Sequence, residues 1–589
     1  MQLTSLDWSI IALFFIVTLG VGLYVSRDSG KSTKEFFLSG RNMPWWLLGV
    51  SMVATTFSAD TPNLVTDIVR TNGVAGNWVW WAFLLTGMLT VFVYARLWRR
   101  SGVLTDLEFY ELRYGGAPGR FLRQFRALYL GVFFNVMIMA TVCLAGIKIA
   151  GILLGLTPLA TVVLVSIVTV IYSAWGGFKG VVVTDFLQFS FAMIGAVWAA
   201  VYVLGLPEIN GLDQLFAHPN VSDKLDLVPT FDNPDVYIPL IIMPLAVQWW
   251  SVWYPGSEPG GGGYVAQRML AAKNERHAVG ATFLYNAFHY ALRPWPWIII
   301  ALASLVVYPE LADIQAAFPG IPENKVGHDL AYPAMLSRLP AGLLGLVIAS
   351  LIAALMSTLS THLNWGSSYV VHDWYRNSIK PDASERELVT VGRLSTVVLM
   401  VLAALFALAL TDALDAFNIL LQIGAGTGLI FILRWFWWRI NAWTEIAGMV
   451  VSFLFALFAR FGWDKIGLPE IEDWQTLLLG IVITTAGWLA VTFLTQPTDA
   501  ATLQSFYRKI HPGGPGWGPV RAALPAGTVV NHDDHLTLRV LTVFIGAVGV
   551  YAVLFATGFY LYGQLTATLV AGGIAVLVAA FLVVNRRRF

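Results

Sequence analysis

Long apolar stretches follow one another along almost the whole chain, and this succession decides what the chain can fold into. A helix needs about 20 mostly apolar residues to cross about 30 Å of hydrocarbon. Fifteen such stretches, here called the first to fifteenth segments, have the approximate spans 7–26, 44–70, 76–98, 125–152, 156–175, 180–205, 236–256, 278–307, 333–363, 387–410, 412–438, 442–463, 475–495, 537–560 and 563–585. We therefore predict an all-α polytopic membrane protein.

Scarcity of charge supports this prediction and excludes a soluble protein. Charged residues make up 12% of the 589, against about 25% in ordinary soluble chains. The net charge of +1 leaves no basic excess for nucleic-acid phosphates, so we expect a lipid bilayer and no nucleic acid as partner. The single cysteine, Cys143, allows neither an intramolecular disulfide nor a cysteine-based metal cluster.

The distribution of basic residues predicts the orientation in the membrane. With the segments as given, 28 basic residues fall on one side and 6 on the other, and cytoplasmic loops collect Lys and Arg. We expect an inner (plasma) membrane protein with its N-terminus outside and its C-terminus in the cytoplasm. The basic residues near the first segment follow its apolar run, which indicates a retained helix rather than a signal peptide.

Two segments are interrupted at membrane depth. The second contains Asp60 and Pro62, and the seventh breaks between Trp249 and Gly256 before a polar stretch, Gly260 to Gly263. Breaks in hydrocarbon need protein or a water-filled cavity to satisfy the backbone, although Pro62 alone also fits an ordinary kinked helix. Because five segments separate the breaks, the two halves run in opposite directions, a pattern typical of secondary-transporter binding sites.

Hydroxyl groups and one acid suggest a cation site. Ser357, Ser360 and Thr361 lie on one face of the ninth segment, and Thr358 faces a different neighbour. Asp185 in the sixth segment is expected at a similar depth, in the inner half of the membrane. Oxygen donors suit a small hard cation; helix packing and hydrogen bonds to the backbone are the alternative.

Four motifs together resemble the sodium:solute symporter family, which includes sodium/glucose, sodium/proline and sialic acid cotransporters. They are the runs Gly102 to Gly116, Tyr172 to Gln188, Gln267 to Lys273 and Arg338 to Ser360. The resemblance implies a LeuT-type five-plus-five inverted repeat with one preceding and about four following helices, and sodium-coupled symport by alternating access. We place the first helix with its inner loop at 1–43, the repeats at 44–205 and 236–440, an outer loop at 206–235, and accessory helices at 441–589 with an inner linker at 496–536.

The resemblance also implies sites for Na+, two ions per cycle being expected. The principal site comprises the main-chain carbonyls of Ser58, Thr61 and Ala354 and the hydroxyls of Ser357 and Thr358. The second site comprises Asp185, Ser357, Ser360 and Thr361. Asp60 resembles the acid that proline-type members carry after the break, and we interpret it as a coupling acid.

The solute is expected to be small, polar and organic, with sugar, amino acid and carboxylate left open. Aromatic rings and polar groups near the breaks are the candidates for its cavity, namely Trp80, Trp81, Trp249, Trp250, Trp253, Tyr254, Asn286, His289, Arg293, Asn418 and Gln422. Arg293 suits a carboxylate through its bidentate fork, or it extends toward the outer interface. The tryptophans also suit an interfacial aromatic belt.

Other classes of membrane protein require sequence features that differ from those of a symporter. A polytopic membrane enzyme needs a metal or nucleophile constellation, and the nine histidines include no H-x-x-x-H pair. A transport-derived sensor needs a large cytoplasmic C-terminal domain, which we do not find in this sequence. A sodium channel or uniporter differs from a symporter only in its fluxes. We expect a monomeric symporter that is not an enzyme.

Overall fold

The computed structural model describes residues 3–25, 32–252, 258–321, 326–410, 424, 426–463, 465, 467, 469, 471–525, 535–586 and 588. These residues form helices and loops, without any named strand. Among them, eleven helices are long and apolar enough to cross a membrane. Three shorter apolar helices of 10–17 residues are Trp45–Thr56, Pro158–Ile171 and Pro234–Ala246.

The helices up to the outer loop cover the first six predicted segments. Their bounds are Ser5–Val25, Thr33–Leu38, Ser39–Arg41, Trp45–Thr56, Asp60–Asn72, Val74–Asn77, Trp78–Trp81, Leu84–Leu89, Thr90–Tyr94, Ala95–Ser101, Glu108–Tyr114, Gly116–Leu128, Tyr129–Phe134, Asn135–Leu154 and Pro158–Leu204.

The outer loop and the next segments contain mostly shorter helices. Their bounds are Leu212–Ala217, Ser222–Lys224, Pro234–Tyr237, Ile238–Ile242, Met243–Ala246, Gln248–Trp250, Gly263–Ala271, Glu275–Ala287, Phe288–Leu292, Pro294–Val307, Leu311–Ala317, His328–Leu330, Ala331–Leu336, Leu343–Ser368, Tyr369–Ile379, Glu385–Ala409 and Gly428–Phe436. The accessory helices follow at Ala442–Phe461, Asp473–Leu494, Ala500–Ile510, Pro515–Trp517, Gly518–Ala522, Leu536–Leu561 and Leu565–Asn585.

Every predicted segment contains helix, and the all-α prediction is confirmed. The fifth and sixth segments are joined within Pro158–Leu204, where Gly177 at φ 54° interrupts the helical geometry between them. A positive φ at this point suits glycine, which has no Cβ to clash. The chain can therefore turn between two segments without an intervening loop.

The ninth segment differs from its predicted span of 333–363. A short helix, Ala331–Leu336, ends before Pro340, and a new helix starts after Gly342 at φ 84° and continues to Ile379. Proline and a glycine with positive φ separate the two helices because neither continues regular helix well. Ser357 to Thr361 consequently lie near the middle of their helix, and not close to its inner end as predicted.

The stretch 496–536, predicted as a polar linker, is folded over most of its described length. Its helices Ala500–Ile510 and Pro515–Trp517 contain the buried residues Phe506 and Trp517, and Phe506 packs on Phe109 in the loop after the third segment. The guanidinium of Arg113 lies 4.9 Å from the Trp517 ring and 5.4 Å from the Phe506 ring. These cation–π contacts hold the stretch 496–536 against the helix bundle.

The seventh and eleventh segments meet backbone to backbone. The Val252 amide donates to the Gly424 carbonyl at 3.2 Å. A Cβ added at Gly424 would collide with the Val252 carbonyl, and one added at Gly428 would collide with the Trp250 carbonyl. Gly424 and Gly428 of the eleventh segment thus permit a close approach to the second break.

Gly428→Ala should destabilise the protein, because the new methyl group has to displace a neighbouring backbone. Overpacking of this kind costs about 1–3 kcal/mol, which should lower the melting temperature in detergent measured by intrinsic fluorescence. Gly573→Ala is the matched control, since nothing lies within 4 Å of its added Cβ and alanine favours helix. Equal melting temperatures for both variants would contradict the close approach.

Candidate sodium and solute sites

The first break lies between the two helices of the second segment. Trp45–Thr56 ends and Asp60–Asn72 begins, leaving Phe57 to Ala59 outside regular helix. The hydroxyl of Thr358 in the ninth segment donates to the Thr55 carbonyl at 2.8 Å and contacts the Ala354 carbonyl at 3.2 Å. The ninth segment is therefore bonded directly to the end of the first half-helix.

The residues of the predicted principal sodium site fall on these two elements. Ser58 and Thr61 lie at the break, where the Thr61 amide donates to the Ser58 carbonyl at 3.2 Å. Ala354, Ser357 and Thr358 are buried on the ninth segment. Carbonyl and hydroxyl oxygens from both sides are the donors that a small hard cation prefers, so the chemistry of this set fits Na+.

The second predicted set surrounds Asp185, whose carboxylate is fully buried. Ser357 donates its hydroxyl to Asp185 Oδ1 at 2.6 Å, and Ser51 donates to Oδ2 at 2.5 Å. Thr361 lies in the same cluster, 3.1 Å from the hydroxyl of Thr55. The Ser360 hydroxyl donates instead to the Ser357 carbonyl at 3.0 Å.

A basic side chain also lies in this second cluster. Arg268 is fully buried, and its Nη2 lies 3.5 Å from Asp185 Oδ2. Its guanidinium further donates to the Ser51 hydroxyl at 3.0 and 3.1 Å and to the Thr361 hydroxyl at 2.8 Å. The sequence places Arg268 in a family motif without giving it a role. Two features that could have pointed to this cluster are the i, i+4 spacing of Ser51 and Thr55 and a basic residue so close to the second break.

Polar side chains from the eighth segment reach the first break. His289 Nδ1 lies 3.0 Å from the Thr56 hydroxyl, and Arg293 Nη2 lies 3.4 Å from His289 Nε2. Arginine can only donate, so His289 Nε2 accepts and its proton resides on Nδ1. Arg293 Nη1 reaches the Thr56 hydroxyl at 3.3 Å. In this arrangement a neutral imidazole, that of His289, lies beside the buried cation of Arg293.

These neighbours do not satisfy all the hydrogen-bond donors of Arg293 or balance its charge. Its side chain is 1% exposed, its Nε has no hydrogen-bond partner, and within the described residues no carboxylate lies within 4 Å of it. Asp60, the first residue of the second half-helix, likewise has a buried Oδ1 without a partner. A cation and an acid with unused hydrogen-bonding atoms thus lie at the same break without forming a close ion pair.

The predicted aromatic residues separate into two groups. Trp80 stacks on Tyr290 at 5.8 Å and contacts His289 edge-on at 5.7 Å, so it belongs to the first break. Trp81 is turned away: it packs against Phe555, and its carbonyl accepts the hydroxyl of Tyr551. Trp81 therefore meets different neighbours from Trp80, because successive helical residues point in directions about 100° apart, and its place in the cavity stays a prediction.

Trp249 and Trp250 lie at the second break, with ring centroids 5.4 Å apart. The Trp249 carbonyl accepts a hydrogen bond from Thr86, which ties the second break to the third segment. Trp253, Tyr254, Asn418 and Gln422 lie outside the described residues.

A cavity opens between the third and eighth segments. It is lined by Phe83, Thr86, Gly87, Thr90, Glu258, Gly261, Val265, Thr282, Tyr285, Asn286 and Tyr290. Of the predicted solute contacts, Asn286 lines it directly, and its buried Oδ1 has no hydrogen-bond partner. Tyr290 connects this cavity with Trp80 and His289.

The glycine-rich stretch after the second break forms one wall of the cavity. Trp98 Nε1 donates to the Gly260 carbonyl at 2.7 Å, and the Gly263 amide donates to Asp106 Oδ2 at 2.9 Å. Burial raises the pKa of Asp106, and the hydrogen bonds from Tyr369 and Gly263 oppose that shift. The stretch is therefore held by the end of the third segment and by the loop that follows it.

An interrupted helix bonded to an oxygen-rich helix, inside a bundle of membrane-spanning helices, defines a secondary transporter of the broken-helix class. The model of the sodium:solute symporter family matches residues 36–452, and the chain belongs to that family. It is a multi-pass membrane protein that couples the transport of a small solute to Na+.

Relatives and a solved structure agree with this membership. The sodium/glucose cotransporter of Vibrio parahaemolyticus is 28% identical over 82% of this chain and 90% of its own length. The sodium/mannose cotransporter SLC5A10 of Bos taurus is 27% identical over 77% of this chain and 79% of its own. The structure of a Na+-coupled sialic acid symporter, 22% identical, covers 84% of this chain and 99% of its own with a TM-score of 0.68, which shows the fold.

Proposed function

We propose that Na+ binds at the first break, among the carbonyls of Ser58, Thr61 and Ala354 and the hydroxyls of Ser357 and Thr358. The contact from the Thr358 hydroxyl to the Thr55 carbonyl supports this assignment, because it brings the two oxygen-bearing elements together. An ion shared by both elements binds one arrangement of them better than another, and only such a difference in affinity can drive alternating access. Asp60 supplies a nearby negative charge as the coupling acid.

Thr358→Ala should weaken Na+ binding, because it removes one oxygen ligand and the link to the first half-helix. In proteoliposomes, uptake of the transported solute should require Na+ and fall to background in choline. The variant should raise the half-saturating Na+ concentration about tenfold, which corresponds to about 1.4 kcal/mol. Thr557→Ala is the control, since its hydroxyl bonds only to the Val553 carbonyl of its own helix. Uptake that persists in choline would contradict sodium coupling.

The solute that the geometry supports best is one with a carboxylate and several hydroxyls, such as a sugar acid. The observation that carries this proposal is the buried guanidinium of Arg293, whose Nε has no hydrogen-bond partner and which has no carboxylate within 4 Å among the described residues. A buried charge is costly without a partner, and a bound carboxylate supplies one. Asn286 and the ring of Trp80 suit a hydroxylated body, and sugar cotransporters are among the relatives.

Glucose and glucuronate form a matched pair that differs only in the group at C6. We expect glucuronate to raise the melting temperature of the purified protein in Na+ more than glucose does. Arg293→Gln should weaken glucuronate binding about 10- to 100-fold, as for the loss of a charged hydrogen bond of about 1.5–3 kcal/mol. Arg460→Gln, at the exposed end of the twelfth segment, should leave binding unchanged. A stronger response to glucose would favour a neutral sugar, and a response only to amino acids would contradict the hydroxylated body.

We further propose the orientation and organisation expected from the sequence. The N-terminus is outside and the C-terminus in the cytoplasm, the repeats occupy 44–205 and 236–440, and a monomer in the inner membrane is the transporting unit. Arg96, Arg100 and Arg126 are bound by Glu275 and Glu445 on the side assigned to the cytoplasm, which agrees with the excess of basic residues there.

Cysteine labelling tests the orientation, since Cys143 can be removed to leave a cysteine-free background. Asp213→Cys lies in the predicted outer loop and Asp382→Cys in an inner one, and both aspartates are exposed. A membrane-impermeant maleimide should label position 213 in intact cells and position 382 only after permeabilisation. The reverse pattern would invert the proposed topology.

A further inference from the structure

The outer end of the second half-helix is bonded to the loop between the eighth and ninth segments. Arg70, in the last turn of this half-helix, is 4% exposed. Its Nη1 donates to the Ser304 hydroxyl at 3.0 Å, and its Nη2 donates to the carbonyls of Tyr308 and Pro309 at 2.9 and 3.2 Å. Its Nε donates to His328 Nδ1 at 3.2 Å. One buried guanidinium thus joins the half-helix to the end of the eighth segment and to the loop beyond it.

The residue after His328 bonds the same loop to a different helix. Asp329 pairs with Lys148, near the outer end of the fourth segment, at 2.9 Å. His328 and Asp329 begin one short helix, His328–Leu330. Two neighbouring residues of the loop therefore connect the second half-helix, through Arg70, with the fourth segment. When these two segments separate at their outer ends, one of the two connections has to break.

The bond between Arg70 and His328 depends on the protonation of the imidazole. Arginine can only donate, so His328 Nδ1 accepts and the ring is neutral in this contact. A protonated imidazole carries a donor on both nitrogens, so it cannot accept from Arg70 and its charge repels the guanidinium. The other partners of Arg70 are a hydroxyl and two carbonyls, which do not titrate near neutral pH. Acid therefore acts on the histidine connection.

Charges of both signs lie around His328. Burial and the guanidinium of Arg70 lower the pKa of His328 below its ordinary value, and the carboxylates of Asp67, Asp329 and Glu310 oppose this shift. Because the pKa is lowered, the ring is neutral at physiological pH and the bond to Arg70 is formed. The bond is lost as the pH falls through the lowered pKa, below about 6.5.

We propose that Arg70 and His328 form an acid-sensitive latch, which holds the outer end of the second half-helix against the loop and releases it when acid outside protonates His328. The released half-helix can move away from the fourth segment, so acid shifts the population toward the arrangement in which the first break is open to the outside. Because the outside face is assigned from the proposed orientation, the latch rests on that proposal.

Labelling of a cysteine at the first break, from outside, tests the latch. Thr56→Cys in a Cys143→Ser background supplies the thiol, and Asp213→Cys in the exposed outer loop corrects for the titration of the thiol itself. The rate of reaction with a membrane-impermeant maleimide at position 56, relative to position 213, should rise about tenfold between about pH 8 and about pH 5, as for the loss of one hydrogen bond to a charged group. An unchanged ratio would overturn the proposal.

Variants of His328 separate the latch from other titrating groups. In His328→Gln the amide oxygen accepts without titrating, so the ratio should stay low at both pH values. In His328→Lys the charge persists, so the ratio should be high at both. His218→Gln is the control, since this outer-loop histidine accepts the Asn220 amide, and it should keep the response of wild type. A response that persists in His328→Gln contradicts the latch, whereas reversed labelling of positions 213 and 382 contradicts the orientation, so the two failures are distinguishable.

Discussion

Hydrocarbon offers no hydrogen-bonding partner, and every place where this chain leaves helical geometry within the membrane has to be matched by another part of the protein. At the first break the Thr358 hydroxyl bonds to the Thr55 carbonyl. At the second, the Val252 amide bonds to the Gly424 carbonyl and Thr86 bonds to the Trp249 carbonyl. The neighbours that satisfy the backbone are the elements that build the sites, so the architecture and the transport machinery share the same contacts.

The two buried arginines near the breaks differ in what surrounds them. Arg268 has a carboxylate and two hydroxyls from other elements and is compensated by the protein itself. Arg293 has a hydroxyl, an imidazole nitrogen and the ring of Trp297 at 5.3 Å, and its Nε is unused. The same side chain is thus an internal counter-ion at one place and, as we propose, an anion-binding group at the other, because only Arg293 has no carboxylate within 4 Å among the described residues.

Much of the fold could be predicted because segment length, charge distribution and breaks are properties of a continuous stretch of sequence. The all-α class and the first break could be derived in this way. The partner of Asp185 could not be derived, since Arg268 lies 83 residues away in the sequence and no local pattern links the two residues. The neighbours of Trp81 could not be derived either, because an aromatic run does not specify which neighbouring helix each ring meets. The ninth segment was misplaced because the apolar residues on both sides of the turn were taken as one stretch, although Pro340 and Gly342 interrupt it.

The backbone contact between the seventh and eleventh segments bears on how solute preference can diverge in such transporters. At Gly424 and Gly428 the residue type is decided by the carbonyls of the facing segment, and not by anything that is transported. Trp80 and Asn286, which we propose contact the solute, can change and alter what fits, whereas a side chain at either glycine would collide with the facing backbone whatever the solute. Selectivity and architecture therefore occupy separate positions at the same pair of breaks, and one can vary while the other is kept.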